Sequence, residues 1–376
     1  MRALIRNIVL PIHRWTALSV GLVVLWMALT GLGLLFKSQL EPAVDRSLDT
    51  VAACHAPLSL DELLAHARAA HPNGTLRLVG IEGSATRSTW VRFANGDTVY
   101  LDPCSGRVAG ELNKYRGIFG ALEYLHRLEF LSGADHAVAG TVALAFALVI
   151  VIGGIAIWWP VSLKGLRWSI TFAMRPAGRA RLMRIHRATG FWVCLIALCS
   201  ALTGPIDSFP WYQRVIAAVT DSAPGGPQPA ADVLAAVAPA GPRLSLQVLW
   251  QQTRQMTPDP QEALLLLPKA PAAPVEVDII ERSAPNHQAV SFLYLDPYSG
   301  RVLAFEPYDT SSLANKVMAW GIAIHSGQAG VAAQMALLVG VLGIIVLGYT
   351  GLASYIRRRA GTWRARTNAR PAAVGA

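Results

Sequence analysis

Four long apolar segments, at about 15–36, 137–160, 188–206 and 331–356, constrain this chain more than anything else in it. A bilayer core of about 30 Å takes roughly 20 apolar residues to cross as helix. Each segment has that length and almost no charge, and backbone at that depth must be helical to satisfy its own hydrogen bonds. A hydrophobic content of 53% with 15% charged residues fits the same class. The first segment has a basic flank but no small-residue cleavage signal, and it is too long for a signal-peptide core, so it reads as a retained anchor. The expectation is an α-helical membrane protein with four transmembrane helices.

Charge orients those helices. Residues 1–14 carry Arg2, Arg6 and Arg14. The stretch 161–187 carries Lys164 and six arginines, and the tail after residue 356 carries six more. Together they hold sixteen of the 33 basic residues and none of the 23 acidic ones. The positive-inside rule makes these segments cytoplasmic, with both termini inside. The formal charge of +10 is thus a topology signal and no mark of a nucleic-acid partner. The chain divides into an N-terminus and first helix (1–36), an outer insertion (37–125), a second helix with its approach (126–160), a basic loop (161–186), a third helix (187–209), a second outer insertion (210–322), a fourth helix with its approach (323–356) and a basic tail (357–376).

The two halves repeat. IHRWTALSVGLVVLWMALTG (12–31) and IHRATGFWVCLIALCSALTG (185–204) agree at eleven of twenty positions. In the insertions, YLDPCSGRV (100–108) and YLDPYSGRV (294–302) agree at eight of nine. Alternating apolar residues with NG and SG turn signals predict strands there. LSLDELLAHARAAHP (58–72) and LSLQVLWQQTRQMTP (244–258) predict an amphipathic helix before each set of strands. Each insertion is expected to form a small α+β domain, one helix on an antiparallel sheet. SAPGGPQPAADVLAAVAPAGP (222–242) reads as a flexible lead-in to the second. Cys54 and Cys104 both fall in the first insertion, where an oxidising compartment permits a disulfide. Cys194 and Cys199 fall in the third helix, and no CxxC or zinc-type spacing occurs.

Histidines mark the ends of the helices. His13 matches His186 in the repeat. His126, in LEYLHRLEF, precedes the second apolar run, and His325, in WGIAIHSGQAG, precedes the fourth. At about 1.5 Å rise per residue, the two histidines of one half lie on opposite sides of the bilayer. Pairing must therefore cross between halves: His13 with His186 on the inner side, His126 with His325 on the outer side. Each pair could supply two axial ligands to a haem iron held between helices. A single histidine at a membrane boundary needs no such explanation, but two matched pairs on the correct sides do, because polar groups at this depth are costly. His136 competes with His126 for the outer site. His55, His66, His71 and His287 lack ligand spacing and read as surface residues. The small residues Gly31, Gly204, Gly153, Gly154 and Gly351 suit either close helix packing or the approach of a flat macrocycle. Trp158, Trp159 and Trp211 read as interfacial belt residues.

This ordered set resembles the PepSY-associated transmembrane family, which includes inner-membrane reductases linked to siderophore iron uptake. The residues that carry the resemblance are IHRW (12–15) with LTG (29–31), LHR (125–127) with GGIAIWWP (153–160), IHRATG (185–190) with LTG (202–204), and IHSGQAG (324–330) with TGLASYIRRR (350–359). LDPCSGRV and LDPYSGRV look like the strand–turn–strand signature of PepSY domains. The resemblance implies a bacterial inner-membrane protein with two b-type haems, periplasmic PepSY-like domains, and His13, His126, His186 and His325 as haem ligands. It also implies reduction of a periplasmic ferric siderophore with release of Fe(II). The alternatives are a di-haem electron carrier serving another acceptor and a non-enzymatic PepSY sensor or protease regulator. GLG at 31–33 lies inside a membrane helix and not in a strand-to-helix turn, so no dinucleotide fingerprint is present. There is also no CxxCH, so the haems are expected to be non-covalent. The electron donor is then a separate molecule, a quinol or a cytoplasmic flavoprotein.

Overall fold

The computed structural model describes residues 5–368 apart from 45, 116, 133–135, 161, 173–174, 176, 223–236, 238–240 and 269. Most of the lead-in 222–242 and the end of the basic tail lie outside the described residues. The chain divides into two compact units. One comprises residues up to 35, 125–209 and from 331 onward, and the other comprises 36–124 with 210–330.

The first unit holds four helices long and apolar enough to cross a membrane: Asn7–Leu34, Ala137–Trp158, Gly178–Asp207 and Val331–Gly361. Leu22, Leu148, Leu195 and Val339 are each more than half exposed on them, the outward apolar surface that lipid covers. The third helix begins about ten residues before its apolar run and takes in part of what the sequence assigns to the basic loop. Its opening turns, GRARLMR, are rich in Arg, Ala, Leu and Met, all strong helix formers that extend a helix already anchored in apolar surroundings. Further back in the same loop, Leu163–Ile170 forms a short helix, with Ser162 accepting from the Gly165 N–H. Arg184 lies 4.4 Å over the Trp168 ring, and Trp192 Nε1 donates to the Ile170 carbonyl at 3.0 Å. The second span is not uniform. A π-helical turn, Phe146–Val151, interrupts it between Ala137–Ala145 and Ile152–Trp158.

In the second unit each insertion packs one amphipathic helix on four antiparallel strands. The first supplies α1 (Leu60–Ala70), β1 (Leu76–Glu82), β2 (Thr89–Phe93), β3 (Asp97–Leu101) and β4 (Val108–Asn113). The second supplies α2 (Leu246–Met256), β5 (Pro260–Leu266), β6 (Val275–Glu281), β7 (Val290–Leu295) and β8 (Val302–Glu306). The repeated nonapeptides fold alike. Asp102 Oδ1 accepts from the N–H groups of Cys104 and Ser105, and Asp296 Oδ1 accepts from those of Tyr298 and Ser299. Gly106 and Gly300 then take φ of 69° and 72°, a left-handed conformation open to glycine at little cost.

The two sets of strands join in one sheet. β1 pairs antiparallel with β5 from Leu78↔Leu266 to Glu82↔Glu262, giving one eight-stranded sheet in the order β4-β3-β2-β1-β5-β6-β7-β8. Left apart, each four-stranded sheet would present an inner edge of unpaired backbone groups, and joining them satisfies both. The helices join as well: the Leu60 N–H donates to Gln247 Oε1 at 2.8 Å, and the Leu246 N–H donates to Asp61 Oδ1 at 3.1 Å. Under them, Val79, Val91, Val99, Leu101, Ala263, Leu265, Val277, Ile279, Leu293 and Leu295 form one core, all at most 1% exposed. Cys54 and Cys104 are bonded, closing a loop of 50 residues that a chain-entropy account values at about 4 kcal/mol. His71 is not a free surface group: it stacks on Phe93 and bonds Glu111 at 3.1 Å.

The other face of the sheet carries acids. Burial, then the neighbouring Asp278, pushes the Glu276 carboxyl up to about 7. Burial, then Glu82, does the same to Glu262, and burial raises Asp278 to about 6. The folded sheet thus keeps protons that an unfolded chain releases from its ordinary carboxylate range upward. A raised folded pKa means stability greatest below the unfolded value and lost as pH rises through the folded one. Denaturant unfolding is expected to show a less stable sheet at about pH 8 than at about pH 5. Glu276→Gln with Glu262→Gln should flatten that slope, and an unchanged slope in the double variant would exclude these groups as its source.

Candidate functional site

Two of the four predicted histidines come together within the membrane-spanning unit. His13 lies in the first span and His186 in the third, close enough that charge on one is felt at the other. Each ring rests on glycine. A Cβ at Gly154 would lie 3.3 Å from His13 Cε1, and one at Gly351 would lie 3.5 Å from His186 Cε1. Gly154 and Gly351, which the sequence assigns to a macrocycle or to helix packing, therefore lie against the imidazoles themselves.

Hydrogen bonds fix the tautomer of His186. Its Nδ1 lies 3.0 Å from Thr350 Oγ1, and that hydroxyl lies 2.7 Å from the Val346 carbonyl. A hydroxyl has one proton, and the carbonyl can only accept. Thr350 therefore donates to Val346 and accepts from His186 Nδ1–H, which leaves the lone pair on Nε2. His126 is held the same way. Its Nδ1 lies 2.8 Å from the Met27 carbonyl and 3.3 Å from Thr30 Oγ1, whose own proton goes to the carbonyls of Trp26 and Met27. Nδ1 again carries the proton, and a Cβ at Gly31 would lie 3.0 Å from the ring. Thr–Gly thus serves as a repeated unit, with the hydroxyl orienting the imidazole and the glycine admitting it. Sequence reasoning missed these threonine contacts, since a threonine within a helix normally just bonds back to its own turn.

His13 differs. Its Nδ1 is buried without a hydrogen bond, and the Val149 and Ile150 carbonyls of the π-helical turn face it outside bonding geometry. His136 caps the N-terminus of Ala137–Ala145 at φ 52°. Arg127 donates to its Nε2 at 3.2 Å, and its Nδ1 lies 3.9 Å from Glu129 Oε1. An arginine has no acceptor, so the Nε2 lone pair of His136 is engaged. His325 lies in helix Leu313–Ser326 and belongs to the sheet-bearing unit.

The residues of the membrane unit fit a haem. Among the described residues no three His, Cys, Asp or Glu cluster to hold a metal ion. A histidine pair completes a coordination shell only with a planar ligand that brings its own equatorial donors, as a porphyrin does. Arg14 Nε and Trp158 Nε1 are buried N–H donors with no acceptor among the described residues. They suit the propionate carboxylates of such a group. Trp158 is also not a simple belt residue, because it stacks on Phe191 at 4.8 Å, whereas Trp159 is 70% exposed.

Four apolar helices, the first carrying His13 and the third His186, joined in one chain to a large antiparallel sheet, define a multi-span membrane protein. More narrowly, the family model described as "PepSY-associated TM region" matches residues 10–358, and the chain belongs to that family. No curated protein matches it.

Proposed function

We propose that the protein is an oxidoreductase of the bacterial inner membrane that holds two b-type haems non-covalently and reduces a periplasmic ferric siderophore. The observation that carries this reading is the orientation of His186. Its Nδ1 proton is tied to Thr350, and its Nε2 lone pair is left for a metal, beside a second histidine on another helix. That is the outer-shell arrangement of histidine ligands in metal sites, where the second nitrogen is fixed by a hydrogen bond.

On this reading His13 and His186 hold the inner haem, and His126 with His325, paired on the sequence repeat, hold the outer one. Bound there, haem supplies one-electron transfer. The chain's own groups orient and insulate it. Thr350 and Thr30 stop two imidazoles from rotating, Gly154 and Gly351 admit the inner rings, Arg14 and Trp158 meet the carboxylates, and the apolar spans exclude water. The substrate iron is bound by hard oxygen ligands far more tightly as Fe(III) than as Fe(II), so one electron loosens it. A ferric siderophore is too bulky and polar to enter a helical bundle. It is reduced outside the spans, on the side where the positive-inside rule puts the two insertions. A quinol or a cytoplasmic flavoprotein supplies the electrons.

A pyridine haemochrome assay on the purified protein tests this, with about two haems per chain expected. One haem in a fully loaded preparation breaks the pairing scheme. No b-type bands at all would leave the non-enzymatic sensor or protease regulator as the reading.

A further inference from the structure

We infer that Thr350 is a positioning residue for His186, and that the second span, with Gly153 at the corresponding place, holds His13 without such an anchor. The inner pair is therefore deliberately unequal. The inference rests on the proposed haem ligation and concerns the two nitrogens that face away from the iron.

Aligning Gly154 with Gly351 puts Gly153 opposite Thr350, and Val149 and Ile150 opposite Val346 and Leu347. Both spans offer carbonyls at the same two positions. In the fourth span the Thr350 hydroxyl lies within hydrogen-bond distance of both the imidazole and the Val346 carbonyl. It accepts the Nδ1 proton at 3.0 Å and passes its own to Val346 at 2.7 Å. In the second span Gly153 supplies no hydroxyl at that position. The π-helical turn Phe146–Val151 faces its carbonyls toward His13, yet Nδ1 makes no hydrogen bond. A π-turn inside a membrane helix often marks a functional position, and this one lies where the repeat loses its threonine.

The two arrangements have different chemical consequences. An acceptor on Nδ1–H makes the opposite nitrogen a stronger donor, which favours the oxidised iron. His186 is then the strong, fixed ligand and His13 the weaker, more mobile one. The space at position 153 shows how the difference can be removed. A Cβ there would lie 3.9 Å from His13 Nδ1 and 3.7 Å from Val9 Cγ1, ordinary contact distances, so a serine hydroxyl would come within reach of the orphaned nitrogen.

The test uses three variants of the full-length, haem-loaded protein, each read by inner-haem midpoint potential and by haem loss to apomyoglobin. Thr350→Val should raise the potential and weaken retention about 10–100-fold, the usual cost of removing an outer-shell partner. Thr350→Ser should restore both. Gly153→Ser should move both quantities the other way, lowering the potential and slowing haem loss. A purely structural Thr350 would leave the potential unmoved and could not predict the sign for Gly153→Ser. Wild-type protein without haem defeats the parent reading. Haem-loaded wild type with Thr350→Val and Gly153→Ser both at the wild-type potential defeats this inference alone.

Discussion

On the proposed ligation, replacing His186 by Ala is expected to remove one of two haems, taking the haemochrome yield from about two per chain to about one. No nearby side chain can substitute. Among the described residues no third ligand-type side chain gathers at the site, and Thr350 and Gly351 are both shaped around this imidazole. His13→Ala should cost the same haem, and the double variant should lose no more than either single, because two ligands of one iron act as a unit. Gly351→Leu should reproduce the loss with His186 still present. Its Cβ alone would already be in contact with the ring at 3.5 Å, and a leucine adds three more carbons beside it. The sheet reports on folding independently: its unit lies elsewhere in the chain and carries the Cys54–Cys104 bond, so the disulfide should persist in every variant. His186→Ala protein that keeps both haems would remove the inner pair from the scheme.

Much of this was legible in the sequence because it is written in long or repeated signals. The four spans are runs of twenty or more apolar residues, and nothing but helix satisfies their backbone in lipid. The DPxSG turns could be read because Asp102, Gly106 and their counterparts Asp296 and Gly300 each answer a local backbone demand. The histidines stood out because they recur at the ends of such runs in both halves of the repeat. Pairings between distant positions were not legible. Nothing in β1 or β5 says that Val79 will face Leu265, since the strand alternation of each insertion fits a separate sheet as well as a joined one. The N-terminal reach of the third helix was hidden by its arginines, which look like a loop in a hydropathy profile but are good helix formers. The anchoring role of Thr350 depends on a neighbour 164 positions away. The π-turn at Phe146–Val151 is a matter of backbone register, invisible in side-chain chemistry alone.

The outer ligand offers the sharpest choice, because two histidines compete for it and the structure treats them differently. His126 has Nδ1 2.8 Å from the Met27 carbonyl, with Thr30 at 3.3 Å and Gly31 against the ring, so its proton and its orientation are set by the first span. That leaves Nε2 as the nitrogen with the lone pair. In His136 the corresponding nitrogen accepts from Arg127, and its other nitrogen faces Glu129. Ligating iron through His136 would require breaking a charge-assisted hydrogen bond and turning a guanidinium away, a cost of about 1.5–3 kcal/mol. His126→Ala is therefore expected to lose the outer haem, with haemochrome yield falling to about one per chain. Ferric siderophore reduction in membrane vesicles should fall to background while the inner haem stays reducible by dithionite. His136→Ala should keep both haems and most of the reductase activity, since it removes contacts with Arg127 and Glu129 and leaves His126 in place. The reverse pattern, with His136→Ala losing the haem and His126→Ala keeping it, would transfer the ligand to His136. It would also mean that Thr30 and Gly31 orient an imidazole for some purpose other than binding iron.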